Sequence, residues 1–355
     1  MRAQALDLLK NLDRPVMITG HTGFKGTWLT LLLESQGIEV TGISLEPEKD
    51  SLYSRLGRQG SIRESFTDIR DFEAVNDVIS SINPSVIFHM AAQPLVLQSY
   101  VDPIGTFETN VMGTANLLEA VGKLKNRSHV VAITTDKVYE NLETGVKFKE
   151  NDKLQGKDPY SASKVGTEAV ISAWKNIWQV NTSHRVCSVR AGNVIGGGDF
   201  AKDRLIPDII RGLQQNSVIS IRNPQSTRPW QHVLDPLTGY VNAAGALISG
   251  LNVEAVNFGP TERSLSVESV MKIATAEFHN GVNFMIPEEA MIAPYESGLL
   301  DLDSTLAQDL LGWEPKWNQE EAIRLTFSWW KSVLNAENSA EDACLDDIER
   351  LLDED

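Results

Sequence analysis

The chain has 355 residues, of which 42% are hydrophobic, so it can bury one large α/β domain or two smaller ones. Its formal net charge of −16 argues against a general nucleic-acid-binding protein, because such proteins present a basic face. Its two cysteines, Cys187 and Cys344, are too few for a disulfide framework and fit a reducing cytoplasm.

The two ends of the chain carry different signals. Residues 1–15 lack the apolar core of a signal peptide, and no window approaches the roughly 20 apolar residues of a membrane span. We therefore expect a cytoplasmic protein with no membrane partner. Residues 336–355 hold nine acidic residues and one Arg, and we expect a solvated or loosely docked acidic tail. A helix there would carry four apolar residues on one side: Leu345, Ile348, Leu351 and Leu352.

Strands and helices alternate along the first half of the chain. In chain order, apolar runs predict strands at 16–20, 38–44, 85–92, 129–134 and 185–192. Apolar residues at helical spacing predict helices at 21–37, 75–82, 106–124 and 160–178. The stretch that follows the second strand is polar and rich in charge and glycine, and we assign it no element. This alternation predicts an α/β fold with a doubly wound parallel sheet, covered on both faces.

The alternation ends after residue 192. A glycine-rich loop, "NVIGGGDFAKDRLIP", is followed by shorter elements up to residue 335. We therefore predict a sheet domain at 1–192, a smaller lobe mainly at 193–335 with some interleaving with the sheet, and the tail at 336–355.

The first strand is followed by three glycines, Gly20, Gly23 and Gly26, at the spacing GxxGxxG. Glycines keep such a turn tight and let backbone N–H groups and a helix N-terminus approach a pyrophosphate. The alternative is an ordinary strand-to-helix turn, but the flanking strand and helix favour dinucleotide binding by the domain at 1–192. Ser44 stands near the end of the second strand, Glu46 lies slightly beyond it, and no Arg follows at once for a 2′-phosphate, so NAD is favoured over NADP.

The segment "DPYSASK" predicts a helix start that carries a reactive pair. Asp158 suits the N-cap and Pro159 the first helical position. Tyr160 and Lys164 then lie one turn apart on one face, where a Lys ammonium would lower the Tyr pKa towards that of a general base. The alternative is a surface Tyr–Lys pair. The glycine motif and the hydroxyl of Thr135 at a strand end favour the catalytic interpretation.

Asp136 and Lys137 directly follow the apolar run "HVVAIT", where a buried strand ends. One interpretation is a solvated turn with a chance ion pair. The other is an acid and a base at the mouth of an active site, because carboxyl ends of parallel strands carry ligand sites.

Longer motifs extend these patterns: "GHTGFKG", "TDIRD", "FHMAAQP", "TNVMGT", "TTDK" and "YSASK". In this order they resemble the extended short-chain dehydrogenase/reductase superfamily, which implies a Rossmann-type sheet domain, NAD and a C-terminal substrate-binding lobe. Within it, "GHTGFKGTWL", "AAQPLV", "TTDKVYEN" and the segments at 190–209 and 221–240 are similar to the CDP-glucose 4,6-dehydratases. That similarity runs over about 14–335.

The resemblance implies a role for each catalytic candidate. NAD+ takes a hydride from C4 of the hexose while Tyr160 takes the hydroxyl proton, Thr135 hydrogen-bonds the reacting oxygen, and Lys164 holds the nicotinamide ribose. Asp136 then serves as the acid at C6 and Lys137 as the base at C5, and the hydride returns to C6. These last two roles stay exchangeable, because Lys137 must be neutral to accept a proton and an Asp neighbour opposes that.

The resemblance also implies two sets of binding residues. The cofactor-binding set is Gly20, Thr22, Gly23, Phe24, Lys25, Gly26, Ser44, Asp68, Ile69, Ala91, Ala92, Gln93, Asn110, Thr134, Tyr160 and Lys164. The substrate-binding set is Gln93, Asn193, Arg204, Leu205, Arg222, Arg228 and Asn257. We expect His89 to pack or support the cofactor loop, Asn110 to satisfy backbone groups below the site, and no metal to bind.

Three segments depart from the dehydratase pattern and leave the nucleotide base and the hexose open. They are residues 142–148, Leu97-Gln98 and residues 291–303. Two other functions stay open: a nucleotide-sugar 4-epimerase or 4-reductase, which needs no acid-base pair at C5 and C6, and a non-catalytic NAD-binding scaffold. The family also implies a homodimer through helices 106–124 and 160–178, with Trp174 and Trp178 as contact candidates, or else as residues packed within one subunit.

Overall fold

The structure is a computed structural model that describes residues 2–221, 223–279, 281–286 and 300–353. Its main sheet has these strands: β1 (Val16–Thr19), β2 (Val40–Ser44), β3 (Arg63–Phe66), β4 (Val86–His89), β5 (His129–Ile133), β6 (Arg185–Ala191) and β7 (Ala255–Phe258). The first eight helices are α1 (Arg2–Lys10), α2 (Phe24–Ser35), α3 (Leu52–Arg55), α4 (Phe72–Ile82), α5 (Val96–Val101), α6 (Pro103–Phe107), α7 (Gly113–Gly122) and α8 (Pro159–Asn181). The later helices are α9 (Leu205–Gln215), α10 (Leu234–Ile248), α11 (Val267–Glu277), α12 (Thr305–Leu311), α13 (Gln319–Leu334) and α14 (Ala340–Leu352).

The strand order across the sheet is β7-β6-β5-β4-β1-β2-β3, and every pairing is parallel. The chain moves outward from β1 in one direction through β2 and β3, and in the other through β4 to β7. Such a reversal places a ligand-binding crevice at the carboxyl ends of β1 and β4. The predicted doubly wound, Rossmann-type fold is confirmed.

The two faces of the sheet bury separate apolar clusters. In β1, Val16 and Ile18 belong to the cluster beneath α2, α10 and α13, whereas Met17 belongs to the cluster beneath α4, α7 and α8. Neighbouring residues of a strand point to opposite faces, which explains why the strands are uninterrupted apolar runs.

Two strands of the main sheet were not among those predicted. β3 has the sequence "RESF", which lacks an apolar run because it lies at the sheet edge and is only partly buried. β7 comes from the region after residue 192 and adds to the sheet beside β6, so the later part of the chain does interleave with the sheet.

The helix predicted at 106–124 is interrupted. Residues Glu108–Met112 form a π turn between α6 and α7. Such single turns often accompany functional sites, because the extra residue redirects a side chain. Here the turn contains the buried Asn110, which faces the predicted cofactor loop.

The acidic tail is a docked helix, so the expectation of a solvated or loosely docked extension is wrong. Within α14, Ile348 and Leu351 are buried against α13 and α2, whereas Leu345 is exposed. The acidic residues occupy mainly the outer face, which is why the composition alone suggested a solvated segment. In the described ranges, no helix has both the length and the apolar character needed to cross a bilayer.

Candidate functional site

Two of the three glycines in the turn after β1, Gly20 and Gly26, have no room for a side chain. Gly20 has a positive φ of 76°, and a Cβ there would lie 2.8 Å from the backbone nitrogen of Ala91. A Cβ on Gly26 would lie 2.1 Å from the carbonyl oxygen of Gly20. The backbone of α2 therefore approaches the turn directly, as a pyrophosphate cradle requires.

The start of α2 suits an anion. Its N-cap residue, Gly23, is exposed and makes no side-chain capping hydrogen bond within the described structure. Phe24 packs near Gly196, and a Cβ on that glycine would lie 3.2 Å from its ring. The first-turn N–H groups and the helix dipole then favour negative charge at this point. These features fit the pyrophosphate of NAD.

The end of β2 carries hydroxyls in place of a carboxylate. Thr22 Oγ1 and Ser44 Oγ lie 2.6 Å apart and are both buried, whereas Glu46 is exposed. Along the same edge, Asp68 pairs with Arg70 at 2.6 Å, and Ile69 is buried in the core. The end of β2 therefore presents neutral hydroxyl groups.

The loop after β4 is held by one buried amide. Asn110 Oδ1 accepts from the backbone N–H of Gln93 at 2.8 Å, and its Nδ2 donates to the Gln93 carbonyl at 3.1 Å and to Ser163 at 2.8 Å. The Gln93 side chain bonds Leu95 and Thr106, so it shapes the loop that begins with Ala91 and Ala92. The predicted backbone-satisfying role of Asn110 is what the structure shows.

His89 is a packing residue. Its Nδ1 lies 2.8 Å from Thr19 Oγ1 and its Nε2 lies 2.9 Å from Thr114 Oγ1. Burial and the charge of Lys164 lower the pKa of His89 to about 3, so the ring is neutral near pH 7. Both ring nitrogens are occupied, as expected of a residue that supports the cofactor loop.

The predicted acid-base pair lies at the end of β5. Asp136 is 1% exposed, and its Oδ1 accepts from Thr135 Oγ1 at 3.0 Å and from Lys137 Nζ at 3.4 Å. Its Oδ2 has no hydrogen-bond partner among the described residues. The Lys137 side chain is 24% exposed. A buried carboxylate with one oxygen free of protein partners is unlike the solvated turn of the alternative interpretation.

Tyr160 enters the same site from the first turn of α8. Burial raises the pKa of Tyr160 to about 12, and the charge of Asp136 contributes to this rise. A hydrogen bond with Thr135 and the charge of Arg204 act in the opposite direction. In this structure burial outweighs the groups that lower the pKa of Tyr160, and the effect of Lys164 on that pKa stays a prediction. The sequence showed the spacing of Tyr160 and Lys164, but desolvation depends on what packs around the phenol.

Two lysines of the predicted cofactor set have lowered pKa values. Lys164 Nζ donates to the Ile133 carbonyl at 3.1 Å, and burial lowers its pKa to about 8, while Glu168 opposes the decrease. For Lys25, burial and the charges of Lys164 and Arg204 lower the pKa to about 7. Lys25 Nζ lies 3.5 Å from the buried Tyr240 hydroxyl. Both amines can thus lose a proton near neutral pH.

A buried polar network behind the site was not predicted. Glu168 and Arg190 form two hydrogen bonds, at 2.8 and 2.9 Å, and the Thr134 and Ser188 hydroxyls donate to the same carboxylate at 2.6 and 2.8 Å. Arg190 also donates to Tyr139 at 2.8 Å. Thr134 immediately precedes Thr135 and anchors the strand end through Glu168, and its cofactor role stays a prediction. The only sequence signal was Glu168, one turn beyond Lys164.

Several predicted substrate residues lie on the loops after β6. Arg204 donates to Asp199 at 2.9 Å and precedes Leu205, the first residue of α9. Asn193 is partly buried, and its carbonyl accepts from the Gln231 backbone. Arg228 lies in a two-residue strand, Thr227–Arg228, that pairs with Leu265–Ser266. Arg222 lies outside the described residues.

Asn257 requires a correction. It is fully buried in β7, where its Oδ1 accepts from Tyr139 and its Nδ2 donates to the carbonyls of Phe148 and Asp303. These contacts use its polar atoms within the protein. We therefore assign Asn257 a structural role in place of the predicted substrate contact.

Known proteins are similar to this chain in fold and in sequence. The chain matches the family described as GDP-mannose 4,6 dehydratase over residues 17–326. It is 43% identical to CDP-glucose 4,6-dehydratase from Salmonella typhimurium, over 91% of this chain and 92% of that protein. The structure of TunA, an NAD-dependent NDP-hexosamine 5,6-dehydratase, is 26% identical with a TM-score of 0.73 and coverage of 90% and 98%.

A third comparison shows the fold alone. DesIV, a dTDP-glucose 4,6-dehydratase from Streptomyces venezuelae solved with NAD bound, is 21% identical with a TM-score of 0.76, over 91% of this chain and 98% of that one. The family match and the 43% identity confirm the resemblance that the motifs indicated. The chain belongs to the GDP-mannose 4,6 dehydratase family, within the extended short-chain dehydrogenase/reductases.

Proposed function

We propose that the protein is an NAD-dependent nucleotide-sugar 4,6-dehydratase that converts CDP-D-glucose to CDP-4-dehydro-6-deoxy-D-glucose. The observation that carries this proposal is the buried Asp136 beside Lys137, 3.4 Å apart, in the same site as Tyr160. The 43% identity to a CDP-glucose 4,6-dehydratase supports CDP-glucose as the substrate.

In the first step the C4 hydroxyl becomes a ketone. Bound NAD+ supplies the hydride acceptor for C4–H and later the donor for C6. Tyr160 accepts the proton of the C4 hydroxyl, and Thr135 hydrogen-bonds the same oxygen. Because its pKa is about 12 in the absence of ligands, Tyr160 needs added positive charge to act as a base near neutral pH, and Lys164 one turn away is placed to hold such charge at the cofactor ribose.

In the second step the sugar loses water across C5 and C6. The ketone at C4 acidifies the C5 proton, one residue of the pair removes it, and the other gives a proton to the C6 hydroxyl as the C–O bond breaks. A hydride at C6 and a proton at C5 then complete the product. We assign the acid role to the buried Asp136 and the base role to the more exposed Lys137.

The substrate's diphosphate requires cationic partners. Arg204 and Arg228 provide planar guanidinium groups, which pair well with phosphate oxygens. Arg204 contributes to the electrostatics of Tyr160, so a phosphate bound there would lie beside the reacting sugar. Leu205 directly follows Arg204 at the start of α9, and Asn193 lies just after β6.

The Asp136–Lys137 pair also separates this proposal from its rivals. A 4-epimerase or 4-reductase requires Tyr160 but no acid-base pair at C5 and C6. A non-catalytic scaffold requires neither Tyr160 nor a buried carboxylate. No observation on the described residues favours either rival.

The test is incubation of the protein and NAD+ with CDP-, dTDP-, GDP- and UDP-hexoses, read by mass spectrometry. We expect loss of one water from CDP-glucose, together with the alkaline absorbance of a 4-keto-6-deoxy sugar. Water loss from another donor would keep the reaction and change the substrate. No water loss from any donor, with NAD bound, would refute the dehydratase proposal.

We also propose a homodimer through the helices around α8. Apolar side chains are exposed there on α5, α6, the π turn and α8: Val101, Ile104, Phe107, Met112, Ile177 and Val180. Trp178 is 2% exposed and packs within one subunit, so it is not the contact residue that the sequence suggested. Light scattering after size-exclusion chromatography tests this, and a monomeric mass at micromolar concentration contradicts it.

A cytoplasmic location belongs to the same proposal. Cys187 and Cys344 are both free and buried, which agrees with a reducing compartment but does not require one. Fractionation of cells that express the chain tests this location, and recovery in an oxidising compartment would contradict it.

A further inference from the structure

Helix α14 lies beyond residues 17–326, the segment that matches the family. It docks through one face that includes a charged residue: Ala343, Cys344, Asp347, Ile348 and Leu351 are buried there. Burial of Asp347 costs free energy unless it has a partner, whereas an apolar residue at this position would dock the helix more simply. The buried carboxylate therefore needs an explanation other than stability.

Asp347 reaches the substrate-side loops through a histidine. Its Oδ2 lies 3.6 Å from His232 Nε2, and both side chains are almost completely buried. Its Oδ1 accepts from Arg350 at 3.2 Å. The His232 ring is held between Trp28, at 6.0 Å, and Trp317, at 4.8 Å between ring centroids. This histidine is thus fixed by aromatic contacts and by the carboxylate of α14.

His232 belongs to a short strand that carries a predicted substrate residue on its partner. Gln231–His232 pairs with Val194–Ile195, and the Gln231 backbone donates to the carbonyl of Asn193. A shift of His232 would therefore move Asn193.

A second contact links α14 to the other substrate loop. Helix α14 packs on α13, and the indole of Trp329 on α13 packs on Gly197 so closely that a Cβ there would lie 1.9 Å from it. Two residues later, Asp199 holds Arg204 at 2.9 Å. The same helix thus supports both the strand beside Asn193 and the loop that presents Arg204.

We propose that α14 is a positioning element for nucleotide-sugar binding, and that Asp347 is its positioning residue, acting through His232 on the strand that holds Asn193. The inference rests on the proposed function, because the bound molecule is the nucleotide sugar of that reaction. Asp347 contacts neither substrate nor cofactor. We expect substitution of Asp347 to change the affinity for the nucleotide sugar and to leave the affinity for NAD unchanged.

The experiment compares Asp347→Asn with Glu349→Gln, which removes the same charge from the exposed face of the same helix. With NAD saturating, we expect Asp347→Asn to raise the KM for CDP-glucose by about tenfold, the equivalent of about 1.4 kcal/mol. The kcat and the NAD affinity, measured by calorimetry, should change by less than about twofold, which is well under 1 kcal/mol. Glu349→Gln should leave all of these values unchanged.

His232→Gln changes the other partner of the contact between His232 and Asp347. This variant provides the test if Asp347→Asn does not fold. Because the two residues act through one contact, the double variant should raise KM no more than the larger single change. An unchanged KM in both single variants would overturn the inference, and so would a parallel loss of NAD affinity, since α14 would then support the fold as a whole. Absence of turnover in the unsubstituted protein refutes the proposed function instead.

Discussion

Glu168→Gln removes the charge at the centre of the buried network while keeping the side-chain shape. Gln can still accept from Thr134 and from Arg190 Nε at the position of Oε1. The Gln NH2 group would take the position of Oε2, which lies 2.9 Å from Arg190 Nη2. Both groups are hydrogen-bond donors, so this hydrogen bond would be lost. Arg190 then stays buried without a counter-charge, which costs about 3–5 kcal/mol. The melting temperature should fall by roughly 6 °C or more, at about 2 °C per kcal/mol in a chain of this size.

The same substitution should change the pH dependence of the reaction. Glu168 raises the pKa of Lys164 against the effect of burial, and the result is a pKa of about 8. Without that carboxylate the pKa of Lys164 falls further, so its ammonium form is lost at a lower pH. If charged Lys164 supports oxidation at C4, kcat/KM declines as pH rises through this pKa, and the decline moves to lower pH in Glu168→Gln.

The assay is a pH profile of CDP-glucose turnover beside a thermal melt, both with NAD present. The control is Glu254→Gln, which breaks the exposed pair between Lys175 of the same helix and Glu254. That change should cost less than about 1 kcal/mol and leave the profile unmoved. A Glu168→Gln protein within 1 kcal/mol of the parent would refute the buried-pair reasoning. If the decline of kcat/KM at high pH does not move in Glu168→Gln, the proposed effect of Glu168 on the pKa of Lys164 is refuted.

Three further predictions concern the reacting groups and the cofactor cradle. Tyr160→Phe should lower turnover by about 10²–10⁴-fold with NAD affinity kept, as expected for loss of a general base, and an unchanged rate would exclude that role. Asp136→Asn should stop water loss while still allowing C4 oxidation, seen as reduced cofactor without a dehydrated product; continued dehydration would assign the acid role elsewhere. Gly26→Ala should abolish NAD binding in calorimetry, because its Cβ would lie 2.1 Å from the Gly20 carbonyl; a retained affinity would show that the turn can move.

Local patterns in the sequence were sufficient for the sheet domain and the reactive groups. Apolar runs predicted most of the sheet strands, because strands covered on both faces are apolar throughout. The glycine spacing predicted the cradle, since only glycine fits where a Cβ would meet backbone. Tyr160 and Lys164 could be paired because helix geometry fixes neighbours four residues apart.

Tertiary structure decided what those patterns could not express. The raised pKa of Tyr160 depends on burial by distant elements, and the Glu168–Arg190 pair joins a helix to a strand 22 residues later. The resemblance placed Asn257 in the substrate-binding set, yet β7 buries it against Tyr139.

The acidic tail shows the same division. Its composition predicted a solvated segment, and its apolar spacing a helix, but the sequence contained no sign of what would cover that helix. Helices α2 and α13 cover the apolar face of α14. The buried carboxylate of α14, that of Asp347, lies against His232. The sequence by itself determined which residues can form helices and strands and which side chains can take part in catalysis. Which residues are desolvated and which charges meet was decided by packing between segments far apart in the chain, because burial and charge pairing depend on distances in space.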